Sequence, residues 1–320
     1  MMQTRTVSDA SPTRRLSPRN AHSPPGGLGG GRSIVRVMTH SWFALQAART
    51  RTVPRVPFRI GARTVGAVAA AHLDALRRWP HWLRIDVDGV ALTSEAAERD
   101  AALAEINRAL RAEGLIRAWR DEPFVLPDPA SGDALATMER AAARFWGTLT
   151  YGAHANGFTA GRDGRPTHLW IARRSPDKAT DPGLFDNLIG GGVPAGQTPR
   201  QALLREGFEE AGLAPAQVAP AWPAGVLRLQ RDIPEGLQHE WLYAFDLELP
   251  ADLEPRNQDG EVAGFTRMPL AEAAELARGD AMTVDAALVT IDFLSRHGLL
   301  NDPAAAQALA ALRVPAATAA

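Results

Sequence analysis

The sequence predicts an α+β protein in two parts: a small α+β domain over residues 38–150, then an α+β sandwich with a mixed sheet over residues 151–300. Three observations carry that reading. The chain has 320 residues, about twice the ~150 that one domain usually takes. Short strand-like apolar runs alternate with a few helix-like stretches, as expected for strands and helices packed in layers. One short segment, Thr198 to Gly212, is bounded by a full set of helix start and stop signals.

Composition narrows the classes. The chain is 45% apolar and 22% charged, ordinary values for a globular protein. A net charge of -1 gives no general attraction to nucleic acid or to an anionic membrane. There is no cysteine, which excludes disulfides, Cys-ligated zinc, iron–sulfur clusters and thiolate catalysis. No apolar run reaches the ~18 residues of a membrane-spanning helix. The absence of disulfides and of an export signal points to the cytoplasm.

In chain order, residues 1–37 read as a disordered or non-native extension. They are rich in Ser, Pro, Gly and Arg, with six Arg against one acid, Asp9. Their Gly26–Gly31 run follows no strand and opens no helix, so it is not a dinucleotide loop. An Arg-rich, acid-poor start also fits a transit peptide, and a start at Met38 is the plainer reading. Val56–Ile60 and Thr64–Val68 are strands around a Gly61 turn. Ala71–Arg78 is a short helix. Leu83–Val87 and Val90–Leu92 flank Asp88–Gly89, a hairpin signal. Ser94 caps a long helix to Arg111, with Gly114 past its end. Leu115–Arg120 and Pro123–Leu126 read as strands and Ala134–Trp146 as a helix. His72, His81, Trp79, Trp82, Trp119 and Trp146 read as packing residues.

In the second part, Asp163–Gly164 is a hairpin turn, and His168–Ala172 alternates as a strand. Gly225–Arg231, His239–Leu249 and Val262–Met268 follow as strands, and Leu270–Arg278 and Val284–His297 as helices. Residues 301–320 form an Ala-rich frayed helix or tail.

The chemistry concentrates between Gly190 and Leu213. Thr198 is a good N-cap, Pro199 suits the first helical position, and Gln201 completes a capping box. Gly212 suits the left-handed residue that ends a helix. On the predicted helix Pro199–Ala211, Glu206, Glu209 and Glu210 fall at i, i+3 and i+4, on one face. Leu204, Phe208 and Ala211 fall on another face, toward a core. Three like charges near a helix C-terminus repel one another and oppose the helix dipole. Arg205 can pair with Glu209, whereas a divalent cation can serve all three. Hard oxygen donors suit Mg2+ or Mn2+. A solvated acidic face is the alternative.

This segment resembles the Nudix box: Gly, five residues, Glu, seven residues, Arg-Glu, an apolar residue, any residue, Glu-Glu, any residue, Gly, apolar. Gly191, Arg205, Glu206, Glu209, Glu210, Gly212 and Leu213 fall in place. Gln197 departs from the usual Glu, and Gly207 from the usual apolar residue. Gly207 costs roughly 1 kcal/mol of helix propensity against Ala and allows close backbone approach.

A longer likeness runs from about residue 55 to 300. Gly147–Phe158, Asp181–Asn187, Tyr243–Pro250, Asn257–Val262 and Ile291–Gly298 are similar to one Nudix branch. There the domain follows a small domain of unassigned function, and it resembles the one fused to thiamine pyrophosphokinase in some fungi. The resemblance implies an α/β/α sandwich with a mixed sheet. It also implies metal-dependent hydrolysis of thiamine diphosphate and its oxo and oxy analogues to the monophosphate and phosphate. Glu209 and Glu210, with the Gly191 carbonyl, would ligate Mg2+. Glu206 would ligate metal or orient the attacking water, and Arg205 would hold the glutamates in register. Glu261 is an extra carboxylate or a solvated loop acid.

For the substrate, Arg173, Arg174 and Lys178 would face the diphosphate, unless they are ordinary surface charge. Trp170, Phe185 or Trp241 would give a ring an aromatic face, unless they belong to the core. Asp186 and Asn187 would line the pocket or only form a turn. Another nucleoside diphosphate derivative as substrate, and a non-catalytic diphosphate-binding module, are the alternatives. Isoprenoid diphosphate isomerisation is excluded because it uses a cysteine. A small-molecule substrate is expected, without nucleic acid or membrane; monomer and homodimer both stay open.

Overall fold

The computed structural model describes residues 41–315. The readings made for residues 1–37, and for the chain beyond 315, lie outside those residues.

The first part opens with helix α1 (Phe43–Ala47). Strands β1 (Arg55–Ile60) and β2 (Arg63–Ala69) form a hairpin around Gly61, whose φ of 59° suits glycine. A 3-10 turn and a short helix α2 (Leu73–Leu76) follow. Strands β3 (Leu83–Asp86) and β4 (Gly89–Leu92) pair antiparallel with Asp86 opposite Gly89. The two turn residues are therefore Val87 and Asp88, one place before the expected pair. The sheet order is β2-β1-β4-β3, with β1 parallel to β4.

Helix α3 (Arg99–Ala112) starts later than expected. A 3-10 turn at Ala96–Glu98 precedes it, and Ser94 caps nothing; its hydroxyl is buried without a hydrogen bond. Residues 115–120 are irregular rather than a strand.

The expected helix Ala134–Trp146 splits in two. Ala134–Glu139 is a strand, β6, paired antiparallel with β5 (Pro123–Pro127), and only Arg140–Trp146 is helical, α4. Ala136 and Met138 are buried on one face of that ribbon, so pairing and burial override helix propensity.

The second part is a mixed seven-stranded sheet: β7 (Thr150–Ala160), β8 (Pro166–Arg174), β9 (Phe185–Asp186), β10 (Ile189–Gly192), β11 (Trp222–Ile233), β12 (Gly236–Glu248) and β13 (Val262–Pro269). The main order is β11-β12-β7-β8-β13, with β10 pairing β7 and β9 pairing β8. Only β12 and β7 run parallel. One face carries α5 (Pro199–Ala211) and α6 (Pro215–Val218) over Ala153, Ala155, Trp170 and Phe245. The other carries α7 (Leu270–Arg278) and α8 (Val284–Arg296) over Phe158, Leu169, Ile171 and Leu242. This is a three-layer sandwich of helices on both faces of a mixed sheet. It explains why Leu169–Ala172 are all buried. Successive side chains alternate between two cores, not between core and water.

Helix α9 (Pro303–Ala310) is capped by Asp302 and buries Ala305 and Leu309 in the same core as α7 and α8. The expected tail is therefore docked as far as it is described. Helix α1 packs there too, through Trp42, Ala44, Leu45 and Ala48. Among the described residues no helix is long and apolar enough to cross a membrane.

Candidate active site

Helix α5 begins and ends where its local signals put it. The Thr198 hydroxyl accepts from the Gln201 N–H at 3.2 Å, and Gln201 returns the bond to the Thr198 N–H at 2.8 Å. Gly212 closes the helix at φ 64°. The face turned to the sheet, however, carries Ala202, Leu203, Glu206, Gly207, Glu210 and Ala211. Phe208, expected in the core, is 53% exposed. Ala211 is buried as expected, while Leu204 is only partly so. Gly207 lies against Val218 and Ile189, the close approach that its small size permits.

The three carboxylates meet different surroundings. Glu206 and Glu210 are buried, whereas the Glu209 side chain is 42% exposed. Arg205 spans two of them, at 2.8 Å from Glu206 and 2.8 Å from Glu209, and its Nε donates to the Gln197 amide oxygen at 3.4 Å. Burial pulls the Arg205 guanidinium down, but Glu206 and Glu209 outweigh it and hold its pKa up. Glu210 accepts the Gly190 N–H at 3.1 Å and has no ion-pair partner among the described residues. Burial pushes its pKa well up, and Glu206 and Asp186 push further. Burial also raises Glu206, against the pull of Arg205 and Arg140.

Strand β10 brings its glycines against these groups. A Cβ on Gly191 would overlap the Glu206 carboxylate, so only glycine lets that side chain lie across the strand. Among the described residues no three His, Asp or Glu side chains stand gathered as a ready metal cage; Arg205 holds two of the three glutamates instead. The donor set still fits a hard divalent cation. Two buried carboxylates sit side by side, one of them, Glu210, in no ion pair among the described residues, and all the donors are oxygen.

These carboxylates line a cavity of about 350 Å3 shared with Arg120, Arg174, Lys178 and Glu261. Glu261 bonds to Lys178 and, at 3.0 Å, to Arg120. Burial raises its pKa, but Lys178 and Arg120 bring it below the usual range. Through Arg140, Arg174, Thr180, Gly190 and Gly191 the cavity meets a second one, of about 320 Å3. The second is walled by Asp186, His154, Gln238, Glu240 and Asp285, among others. Arg174 pairs with the buried Asp186 at 2.9 Å.

Five expected substrate contacts lie elsewhere: Arg173, Asn187, Trp170, Trp241 and Phe185, the last packed against the core under α7 and α8. Arg173 is next to Arg174 on β8 and so points to the opposite side. It is exposed, 5.5 Å above the Phe185 ring, and lines neither cavity. Asn187 is buried one layer below, bonded to Asn156 at 3.1 Å and Thr290 at 3.2 Å. Trp170 belongs to the core between the sheet and α5, and Trp241 packs on Tyr151 with centroids 6.0 Å apart. Sequence reasoning missed Arg120, Glu122, Phe124 and Arg140 from the first part, and Gln238, Glu240 and Asp285 from the second. None stands in a spacing motif, and only the fold brings them together.

A family model described as the NUDIX domain matches residues 151–287, and one described as a domain of unknown function, DUF4743, matches residues 38–150. Nudix hydrolase 24, chloroplastic, of Arabidopsis thaliana is 34% identical over 252 residues, covering 77% of this chain and 68% of that one. Nudix hydrolase 20, chloroplastic, of the same plant is 32% identical over 259 residues, covering 77% and 69%. The crystal structure of DR0079 from Deinococcus radiodurans is 22% identical, covers 53% of this chain and 97% of that one, and has a TM-score of 0.41.

Proposed function

Because the chain belongs to the Nudix hydrolases, we propose that this diphosphate hydrolase acts on thiamine diphosphate-like compounds, above all the oxo and oxy analogues. The products are the monophosphate and phosphate, and the role is disposal of damaged cofactor.

The observation that carries the substrate reading is the second cavity. Gln238 Nε2 donates to both Asp285 oxygens, at 3.0 and 2.9 Å, and to Glu240 at 3.0 Å. Two carboxylates thus share one neutral donor at the wall of a cavity that adjoins the glutamate site. Such a wall favours a cationic, amine-bearing ring over a neutral one.

In this reading Glu209 and Glu210, with the Gly191 carbonyl, would hold Mg2+, which would supply charge neutralisation at the diphosphate oxygens. Glu206 would ligate metal or orient the water that attacks phosphorus. Arg205 keeps Glu206 and Glu209 in register. Gln197 still bonds Arg205 without a charge, so the departure from the box leaves this brace in place.

Phosphate release from oxythiamine diphosphate, thiamine diphosphate and ADP-ribose, each with Mg2+ or EDTA, tests the proposal. A phosphatase is added to report ADP-ribose cleavage. Metal-dependent turnover selective for the thiamine compounds is expected. Turnover of ADP-ribose alone would overturn the substrate assignment and keep the chemistry.

A further inference from the structure

We propose that Arg140 is a substrate-binding residue of the hydrolytic site, gripping the diphosphate where the two cavities meet. Residues 38–150 then supply a part of the site that helix α5 and strand β10 do not contain. The inference rests on the reading that a diphosphate is cleaved beside Glu206, Glu209 and Glu210.

Arg140 is the first residue of α4, directly after strand β6. Its half-open side chain lines both cavities. Three contacts fix its position. Its backbone N–H donates to the Glu122 carbonyl at 2.9 Å, one guanidinium nitrogen donates to the Glu122 carboxylate at 3.0 Å, and the guanidinium lies 5.4 Å from the Phe124 ring centre.

The glycine strand shows how close Arg140 stands to the chemistry. Gly190 donates to Glu210, and Gly191 lies under Glu206. A Cβ on Gly192 would meet Phe124 Cζ at 2.5 Å and Arg140 Cζ at 3.2 Å. Gly191 and Gly192 point to opposite sides of β10, so one residue step of the strand separates the bed of Glu206 from that of Arg140.

Of the cations that line the carboxylate cavity, only Arg140 and Arg174 also line the second one. Arg174 commits all three guanidinium nitrogens, to the Asp186 carboxylate and to the Asp181 and Thr180 carbonyls. Arg140 commits one guanidinium nitrogen to Glu122. The rest of its planar fork is available to a diphosphate, whose oxygens match that spacing in pairs. A diphosphate held there continues naturally into the second cavity, which receives the organic group.

The test uses imidodiphosphate, a diphosphate analogue without an organic group, and calorimetry on the full chain with Mg2+. Arg140→Gln should weaken its binding about tenfold or more, and Arg140→Lys should recover part of the loss. Mn2+ binding followed by electron paramagnetic resonance should stay unchanged in both. If Arg140→Gln does not fold, Arg140→Lys carries the test with a several-fold loss expected. Unchanged affinity in the folded variant overturns the proposal. So does a loss that comes with weakened Mn2+ binding, and so does an unmutated chain that does not bind the probe. Because the probe lacks the organic group, failure of thiamine diphosphate as a substrate leaves this result standing on its own.

Discussion

Glu206, Glu209 and Glu210 occupy one turn and a half of helix yet meet three environments. Glu210 is buried with a single N–H partner, Glu206 is buried under Arg205, and Glu209 reaches the surface. The exposed one is the best probe of chemistry as distinct from folding. Glu209→Gln should lower metal-dependent turnover by orders of magnitude while the thermal unfolding midpoint moves little, since a half-exposed side chain contributes little to stability. Phosphate release and a melting curve on the same sample check this; near-normal turnover would remove Glu209 from the site. At this scale the sequence was informative wherever roles follow local spacing. The i, i+3, i+4 triplet and Arg205 are a local pattern. Arg140 and Asp285 are not, because each reaches the site through strand pairing and packing between distant segments.

Among the elements, α5 was the most legible, and the reason is physical. Thr198, Gln201 and Gly212 satisfy backbone groups within a few residues of themselves, so the signal does not depend on the rest of the fold. Thr198→Ala removes one bond of the capping box and should cost about 1 kcal/mol. The urea midpoint should fall without a change in slope; a midpoint equal to the parent's would show that the cap contributes nothing. Ala134–Glu139 shows the converse. Its Ala, Leu and Met residues favour a helix in isolation, but pairing with Pro123–Pro127 makes it a strand. Phe208 was misplaced for a related reason. The sheet selects the small residues and the two acids of α5 as the inner face, and the large ring is left outside.

Across the whole molecule, three cores are joined by buried polar contacts, and one of these makes stability respond to pH. Asp285, on α8, has its pKa raised to about 6 by burial and by Glu240 on β12. Asp181 adds to the rise, while His154 and Arg231 oppose it. A carboxyl raised in the folded state stabilises the fold while protonated, and that contribution is lost as pH climbs through about 6. Acidifying from pH ~7 to ~5 should therefore raise stability through this group, and Asp285→Asn should flatten the change. Denaturant midpoints at the two pH values, for both chains, check this; identical slopes would refute it.

The junction between the two parts of the chain is close enough to need glycine on both sides. Gly236, at φ 142°, lies against the Arg144 carbonyl of the first part, and Gly147, folded onto Ala67 within its own part, faces the Leu237 side chain of the second. A methyl group at either point would overlap its neighbour, so the fit is shared property of both halves. The amino-terminal half is consequently not a portable cassette. Grafted onto another hydrolase of this fold, it would need the recipient's Gly236 counterpart as well as its own Gly147 to seat. A hybrid lacking either would hold Arg140 out of alignment with the helix it serves.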